Sequence, residues 1–184
     1  MKPIIINGEL FGLDMSISKM AVLGAGQMGN GITQVAACAG IEVVMIDIKQ
    51  EFVERGIATI EKSLAKLVSK ERMSQEDADS ARAKISTSTD RSVCSDVDLV
   101  VEAVPEILDL KISIFSELDG ICKPDCILAS NTSSISISTI AESTNRPDKV
   151  IGMHFMNPVP IMKLVEVING KDSPEEVTAS VLEA

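Results

Sequence analysis

Two hydrophobic rhythms alternate along the chain. Short runs rich in β-branched residues recur as "KMAVLG" at 19–24, "IEVVMID" at 41–47, "KISTST" at 84–89, "VDLVVEAV" at 97–104, "CILAS" at 126–130 and "KVIGMHF" at 149–155. All are strand-sized. Between them apolar residues return at helical steps: Phe52, Ile57, Ile60, Leu64, Leu67 and Val68 in one stretch, Leu110, Ile114, Leu118 and Ile121 in another. Strands alternating with amphipathic helices predict an α/β fold, a mostly parallel sheet with helices on both faces. The charged segment 69–84 reads as a solvated helical face, with Ser74 and Asp77 three residues apart as its start. Near the end, Ser173 is the expected N-cap of a last helix, with Pro174 at its first position and two glutamates in its first turn. Residues 1–18 precede the first βα unit as a leader of no assignable role, and 19–184 form the folded domain.

The loop after the first strand changes the picture from fold to ligand. "GAGQMGNG" puts Gly24, Gly26 and Gly29 in G-x-G-x-x-G spacing, with Gln27 and Met28 between them, at the mouth of a helix rich in small residues. The first glycine permits the tight turn, the second lets backbone approach a pyrophosphate, and the third lets helix pack close to strand. Free amides at the helix start then meet the anion. The second strand ends in Asp47, placed to accept both hydroxyls of an adenosine ribose. Its charge would repel a 2′-phosphate, so the pattern favours NAD over NADP, with Lys49 pulling the other way.

In a doubly wound Rossmann-type sheet the carboxyl ends of all parallel strands meet at one edge, where ligands bind. Glu102, Pro105 and Glu106, then Ser130–Ser134 ("SNTSS"), then His154 and Asn157 follow successive strands and are therefore expected to cluster. His154 is the only histidine in the chain. Alone it reads equally as a satisfied core residue, and the polar edge favours catalysis. Beyond the turn "NPVP" the run "IMKLVEVI" reverses direction. Glu166 stands there among apolar neighbours, where a carboxylate is costly unless paired, and its natural partner is His154. The alternative for Glu166 is an outward-facing strand residue.

Composition narrows the ligand classes. The chain has 184 residues, 45% of them hydrophobic, enough for one core. A net charge of −10 argues against a nucleic-acid partner and requires any anionic ligand to be held locally, by helix termini and placed lysines. No run approaches the roughly 18 apolar residues of a membrane helix, and the amino terminus fails as a signal peptide, so a cytoplasmic location is expected. Cys38, Cys94, Cys122 and Cys126 lack zinc-site spacing and read as small buried residues, so no metal is expected.

The combination of "GAGQMGNGI", "DLVVEAVPE", "LASNTSSISI" and "HFMNPVPIMKLVEVI" resembles the 3-hydroxyacyl-CoA dehydrogenases, closest to the bacterial 3-hydroxybutyryl-CoA branch, over Lys19 to Val177. The last two motifs are far more specific than the glycine loop. The resemblance implies reversible NAD-dependent oxidation of L-3-hydroxyacyl-CoA to 3-oxoacyl-CoA, in fatty acid or butyrate metabolism. It implies His154 as the base that takes the hydroxyl proton and Glu166 as the group that orients its ring. Ser133 and Asn157 match residues that hold the substrate oxygen and the nicotinamide region. Glu106 and Lys111 match residues lining the dinucleotide site, and Ser63 and Lys70 match coenzyme A contacts. Members of the family carry a second, all-helical domain that supplies the homodimer contact and more of the acyl pocket. This sequence holds no counterpart, so the chain is expected to be the cofactor domain with half a substrate cleft, weakly active or inactive by itself. A non-catalytic NAD-binding or structural module is the alternative.

Overall fold

The computed structural model describes residues 17–183, together with a short antiparallel pair, β1 (Ile5–Ile6) and β2 (Glu9–Leu10). Apart from that pair and residues 17–18, the expected leader lies outside the described residues. Ser18 already belongs to the domain: its amide and hydroxyl donate to Asp98 at 2.8 and 2.9 Å, and its carbonyl accepts from Glu42 at 3.0 Å.

The main chain then runs β3 (Lys19–Leu23), α1 (Gln27–Cys38), β4 (Glu42–Ile46), α2 (Gln50–Ser69), α3 (Gln75–Ala83) and β5 (Ile85–Ser88). It continues through β6 (Leu99–Glu102), α4 (Leu108–Ile121), β7 (Ile127–Ser130), α5 (Ile137–Ala141), β8 (Val150–Phe155), β9 (Val165–Asn169) and α6 (Glu175–Glu183). The sheet has seven strands in the order β5-β4-β3-β6-β7-β8-β9. Every pairing is parallel except the last, where β9 returns antiparallel to β8. From β3 the chain winds first toward β5, then crosses to β6 and winds the other way. The crevice at that reversal, outside the carboxyl ends of β3 and β6, is where such sheets bind ligands.

Both faces of the sheet are covered, which explains the nearly continuous apolar strands. Alternate residues serve opposite cores: Met20 and Val22 join Ile32, Val53, Ile60 and Leu64 of α1 and α2, while Ala21 and Leu23 join Ile114, Phe115 and Leu118 of α4. Val177 and Val181 of α6 pack into the first core.

Three expectations need adjustment. The predicted start of α3 holds, with the Ser74 hydroxyl accepting from the Asp77 amide at 3.0 Å, but Ser173 does not cap α6. Its hydroxyl accepts from Gly170 at 2.9 Å and donates to the Val150 carbonyl at 2.8 Å, tying the turn to β8, while the Pro174 carbonyl takes the first helical amides. The strand predicted to reach Val104 stops at Glu102, because the Val104 amide turns back to the Glu102 carboxylate at 2.7 Å. Three cysteines are buried as expected; Cys38, at the end of α1, is exposed. Among the described residues no helix is long and apolar enough to cross a membrane.

Candidate active site

The glycine loop has the geometry its spacing requires. Gly24 sits at φ +100°, and a Cβ there would lie 2.6 Å from the Ala103 carbonyl oxygen. At Gly29 a Cβ would fall 1.7 Å from the Gly24 carbonyl oxygen, so only hydrogen lets α1 start this close to β3. A Cβ on Gly26 would meet nothing within 4 Å, which leaves the space in front of the first turn open. That turn has no acidic residue and no side-chain cap, so its amides are available to an anion.

Asp47, just past β4, accepts from the Ala25 amide at 2.7 Å and from the Ile48 amide at 2.7 Å. It thus braces the loop as well as presenting a carboxylate beside it. Lys49 is drawn aside: its ammonium lies 5.5 Å from the Phe52 ring centroid, with Arg55 over the same ring at 4.8 Å. An open cradle at a helix amino terminus and a carboxylate one strand away fit a dinucleotide.

Next to the loop is a cleft of about 320 Å³ whose lining includes Met28, Glu106, Asn131, Ser133, His154 and Asn157. It assembles the polar residues expected at the carboxyl edge. His154 and Glu166 face each other in register across the β8–β9 pair, and Nδ1 of the ring lies 2.8 Å from Glu166 Oε2. The partner is the expected one, but the reason is not burial, since the Glu166 side chain is 54% exposed. Antiparallel register, set by the proline turn, brings the two together. A carboxylate on Nδ1 fixes the ring so that Nε2 is left for other chemistry. On the other side of the cleft, Gln27 donates through Nε2 to Asn157 Oδ1 at 3.0 Å. That bond leaves the Asn157 amide nitrogen as the donor for the cleft.

Below the cleft is a buried ionic network. Glu102 (0% exposed) accepts from Lys111 Nζ at 2.6 Å, the Val104 amide at 2.7 Å and the Ser130 hydroxyl at 2.6 Å. Lys111 (1% exposed) also reaches Glu106 Oε2 at 3.2 Å. Glu106 in turn accepts from the Thr132 hydroxyl, the Ser133 amide at 3.2 Å and the Ser134 hydroxyl at 3.1 Å. Burial pushes the Glu106 carboxyl up, but the Thr132 and Ser134 hydroxyls and the Lys111 ammonium outweigh it and hold it below the ordinary range.

Lys111, expected along the dinucleotide site, is 1% exposed and holds Glu106 from behind the cleft wall. Glu102, expected in the polar cluster beside the cofactor, is likewise buried. Ser63, half-buried on α2, and exposed Lys70, which follows its last turn, stand apart from the cleft lining.

Asn131 and Thr132 belong to the expected Ser130–Ser134 cluster, but the sequence assigns no role to either. Asn131 Oδ1 accepts from the Phe155 amide at 2.9 Å, beside His154, and Thr132 Oγ1 accepts from the Ile135 amide at 2.9 Å. The signal available was polar side chains directly after an apolar strand, where turning backbone needs partners.

Comparison with known proteins places this geometry. The family described as "3-hydroxyacyl-CoA dehydrogenase, NAD binding domain" matches residues 19–184. A probable 3-hydroxybutyryl-CoA dehydrogenase of Deinococcus radiodurans is 50% identical over 165 residues, covering 90% of this chain and 59% of the relative. One of Bacillus subtilis is 47% identical over 168 residues, covering 91% and 58%. The crystal structure of an (S)-3-hydroxybutyryl-CoA dehydrogenase from Ralstonia eutropha superposes with a TM-score of 0.89 at 46% identity, over 91% of this chain and 59% of that one. The chain thus spans a little under three fifths of the length of these relatives. On sequence, sheet order and glycine-loop geometry together, it belongs to the family of 3-hydroxyacyl-CoA dehydrogenase NAD-binding domains.

Proposed function

We propose that this chain is the cofactor-binding and proton-transferring part of an NAD-dependent 3-hydroxyacyl-CoA dehydrogenase acting on 3-hydroxybutyryl-CoA. The observation that carries the reading is the His154–Glu166 contact at 2.8 Å on the wall of a cleft beside the glycine loop. Gly24, Gly26, Gln27, Met28 and Gly29 hold the pyrophosphate region, and Asp47 takes the adenosine ribose. NAD supplies the hydride acceptor for C3 of the substrate. His154 removes the 3-hydroxyl proton as C3 becomes a carbonyl, and returns it in the reverse direction. Glu166 holds the ring in one tautomer and offsets the imidazolium charge. Ser133 and Asn157 bind the substrate oxygen and the nicotinamide region, with Glu106 fixing the loop that carries Ser133. The negative charge of Asp47, and the seating of Lys49 on Phe52, support NAD over NADP.

Ser63 and Lys70 are assigned to the coenzyme A moiety, which gives an acidic protein a local cation for an anionic substrate. A cytoplasmic location and a homodimer made through a helical second domain complete the proposal.

The test begins with NADH fluorescence titration of these 184 residues. Saturable binding is expected, and no binding near millimolar cofactor overturns the reading. In a chain that includes a helical second domain, His154→Gln is expected to cut acetoacetyl-CoA turnover while NADH binding persists. The exposure of Glu166 favours a second reading of the chain by itself, as an NAD-binding module with little turnover, which an assay of the 184 residues alone separates from the first.

A further inference from the structure

Glu102 ends β6 in a run of otherwise apolar residues and is fully buried. A carboxylate in that position is tolerated only with a complete set of partners. Its three donors come from α4, from the loop after β6 and from β7: Lys111 Nζ at 2.6 Å, the Val104 amide at 2.7 Å and the Ser130 hydroxyl at 2.6 Å. The network does not stop there. Lys111 bridges to Glu106, and Glu106 holds the Ser133 amide and the hydroxyls of Thr132 and Ser134. On the backbone side the Asn131 amide donates to the Glu102 carbonyl at 2.8 Å, and Asn131 Oδ1 receives the Phe155 amide next to His154.

We infer that Glu102 is a positioning residue: through Lys111 and Glu106 it sets the conformation of the 131–134 loop and hence the nicotinamide end of the cleft. It touches neither substrate nor cofactor. Lys111 sits between two carboxylates, and its place is defined by the pull of both. With Glu102 removed, the ammonium has only Glu106 to follow, Glu106 moves with it, and the loop loses the acceptor that orders three of its groups. The cofactor part of this inference rests on the proposed function; the loop part does not.

The discriminating variant is Glu102→Leu/Lys111→Met, which replaces both buried charges by apolar groups of similar size. An ion pair that serves folding alone is replaced this way without loss. The variant is expected to fold cooperatively with a melting temperature lowered by the orphaned Val104 amide and Ser130 hydroxyl, together with NADH affinity about tenfold weaker, the scale of one lost hydrogen bond to a charged group. Faster amide hydrogen exchange confined to 131–134 is expected in the same variant without any ligand. Glu102→Gln, which keeps an acceptor for Lys111, is the second variant, with a shift of about threefold in the same direction.

A folded variant with unchanged loop exchange and unchanged NADH affinity overturns the inference. Failure of both variants to fold overturns it too, because the pair is then a folding element. If the unchanged protein itself binds no NADH, the dinucleotide reading falls, while exchange at 131–134 still decides the role of Glu102.

Discussion

Glu102 and Glu166 both follow apolar strand residues, and both lie within hydrogen-bonding distance of a basic side chain, yet their surroundings are opposite. Glu102 is fully buried between β6, α4 and β7, with three donors on its oxygens. Glu166 lies on the edge strand β9, its side chain 54% exposed, with His154 as its partner. The same split runs through the two ends of the sheet. Around β3, β6 and β7 every strand residue from Met20 to Leu23, Leu99 to Glu102 and Ile127 to Ser130 is buried. Along β9 and the turn before it Ile161, Met162, Leu164, Val165 and Ile168 are exposed. The half that would hold the cofactor is finished by its own packing. The β9 half presents an apolar surface and the solvent-facing His154–Glu166 contact.

That contrast can be broken most sharply at its buried end. Lys111→Met alone leaves Glu102 buried without its cation, and should cost about 3–5 kcal/mol in chemical denaturation. A loss under about 1 kcal/mol would mean that water reaches Glu102. At the open end, His154→Gln in a chain with a complete cleft should reduce turnover by about 10²–10⁴-fold, the usual range for a general base, with unfolding unchanged. A variant that unfolds more easily would assign the histidine to stability.

Gly29→Ala probes the junction of the two ends. Its Cβ would overlap the Gly24 carbonyl oxygen at 1.7 Å, so the loop must shift. A cost of about 1–3 kcal/mol and weakened NADH binding are expected from melting curves and titration.

The amino edge gives a pH signature. Burial pushes the Asp98 carboxyl up, but Lys123 and the Lys19 and Ser18 donors outweigh it and lower it to about 2. A depressed carboxyl contributes stability that is present above its unfolded value near 3.9 and is lost as pH falls toward 2. Melting temperature should therefore drop between about pH 4 and pH 2, and Asp98→Asn should flatten that slope. The smallest effect belongs to β9's approach: Ile161→Lys, at a side chain 72% exposed, should change stability by less than about 0.5 kcal/mol. A larger loss would show that the turn packs on something in solution.

Much of this molecule is written in local pattern. Apolar periodicity located the strands and the helices α2 and α4, because a sheet covered on both faces demands continuous apolar strands and one-sided helices. The glycine spacing and Asp47 were legible because that turn excludes side chains at Gly24 and Gly29, a constraint that only composition can meet. Placement after successive strands singled out His154 and Asn157, the cost of an unpaired carboxylate paired Glu166 with His154, and the family resemblance added Ser133; three of the four line one cleft while Glu166 reaches it through His154.

What the tertiary structure alone decided is which polar residues are buried and which are open. Glu102 and Glu166 look alike in sequence, each a glutamate beside valines, and no local rule tells them apart. Strand order places β6 at the centre of the sheet and β9 at its edge, and burial follows from that order. The position of Lys111 behind Glu106, the use of Ser173 to tie a turn to β8 in place of capping α6, and the role of Asn131 in fixing Phe155 have the same origin. Each depends on partners between 5 and 24 residues away, which backbone periodicity does not encode, because a hydrogen bond is satisfied by whatever donor the fold brings within reach.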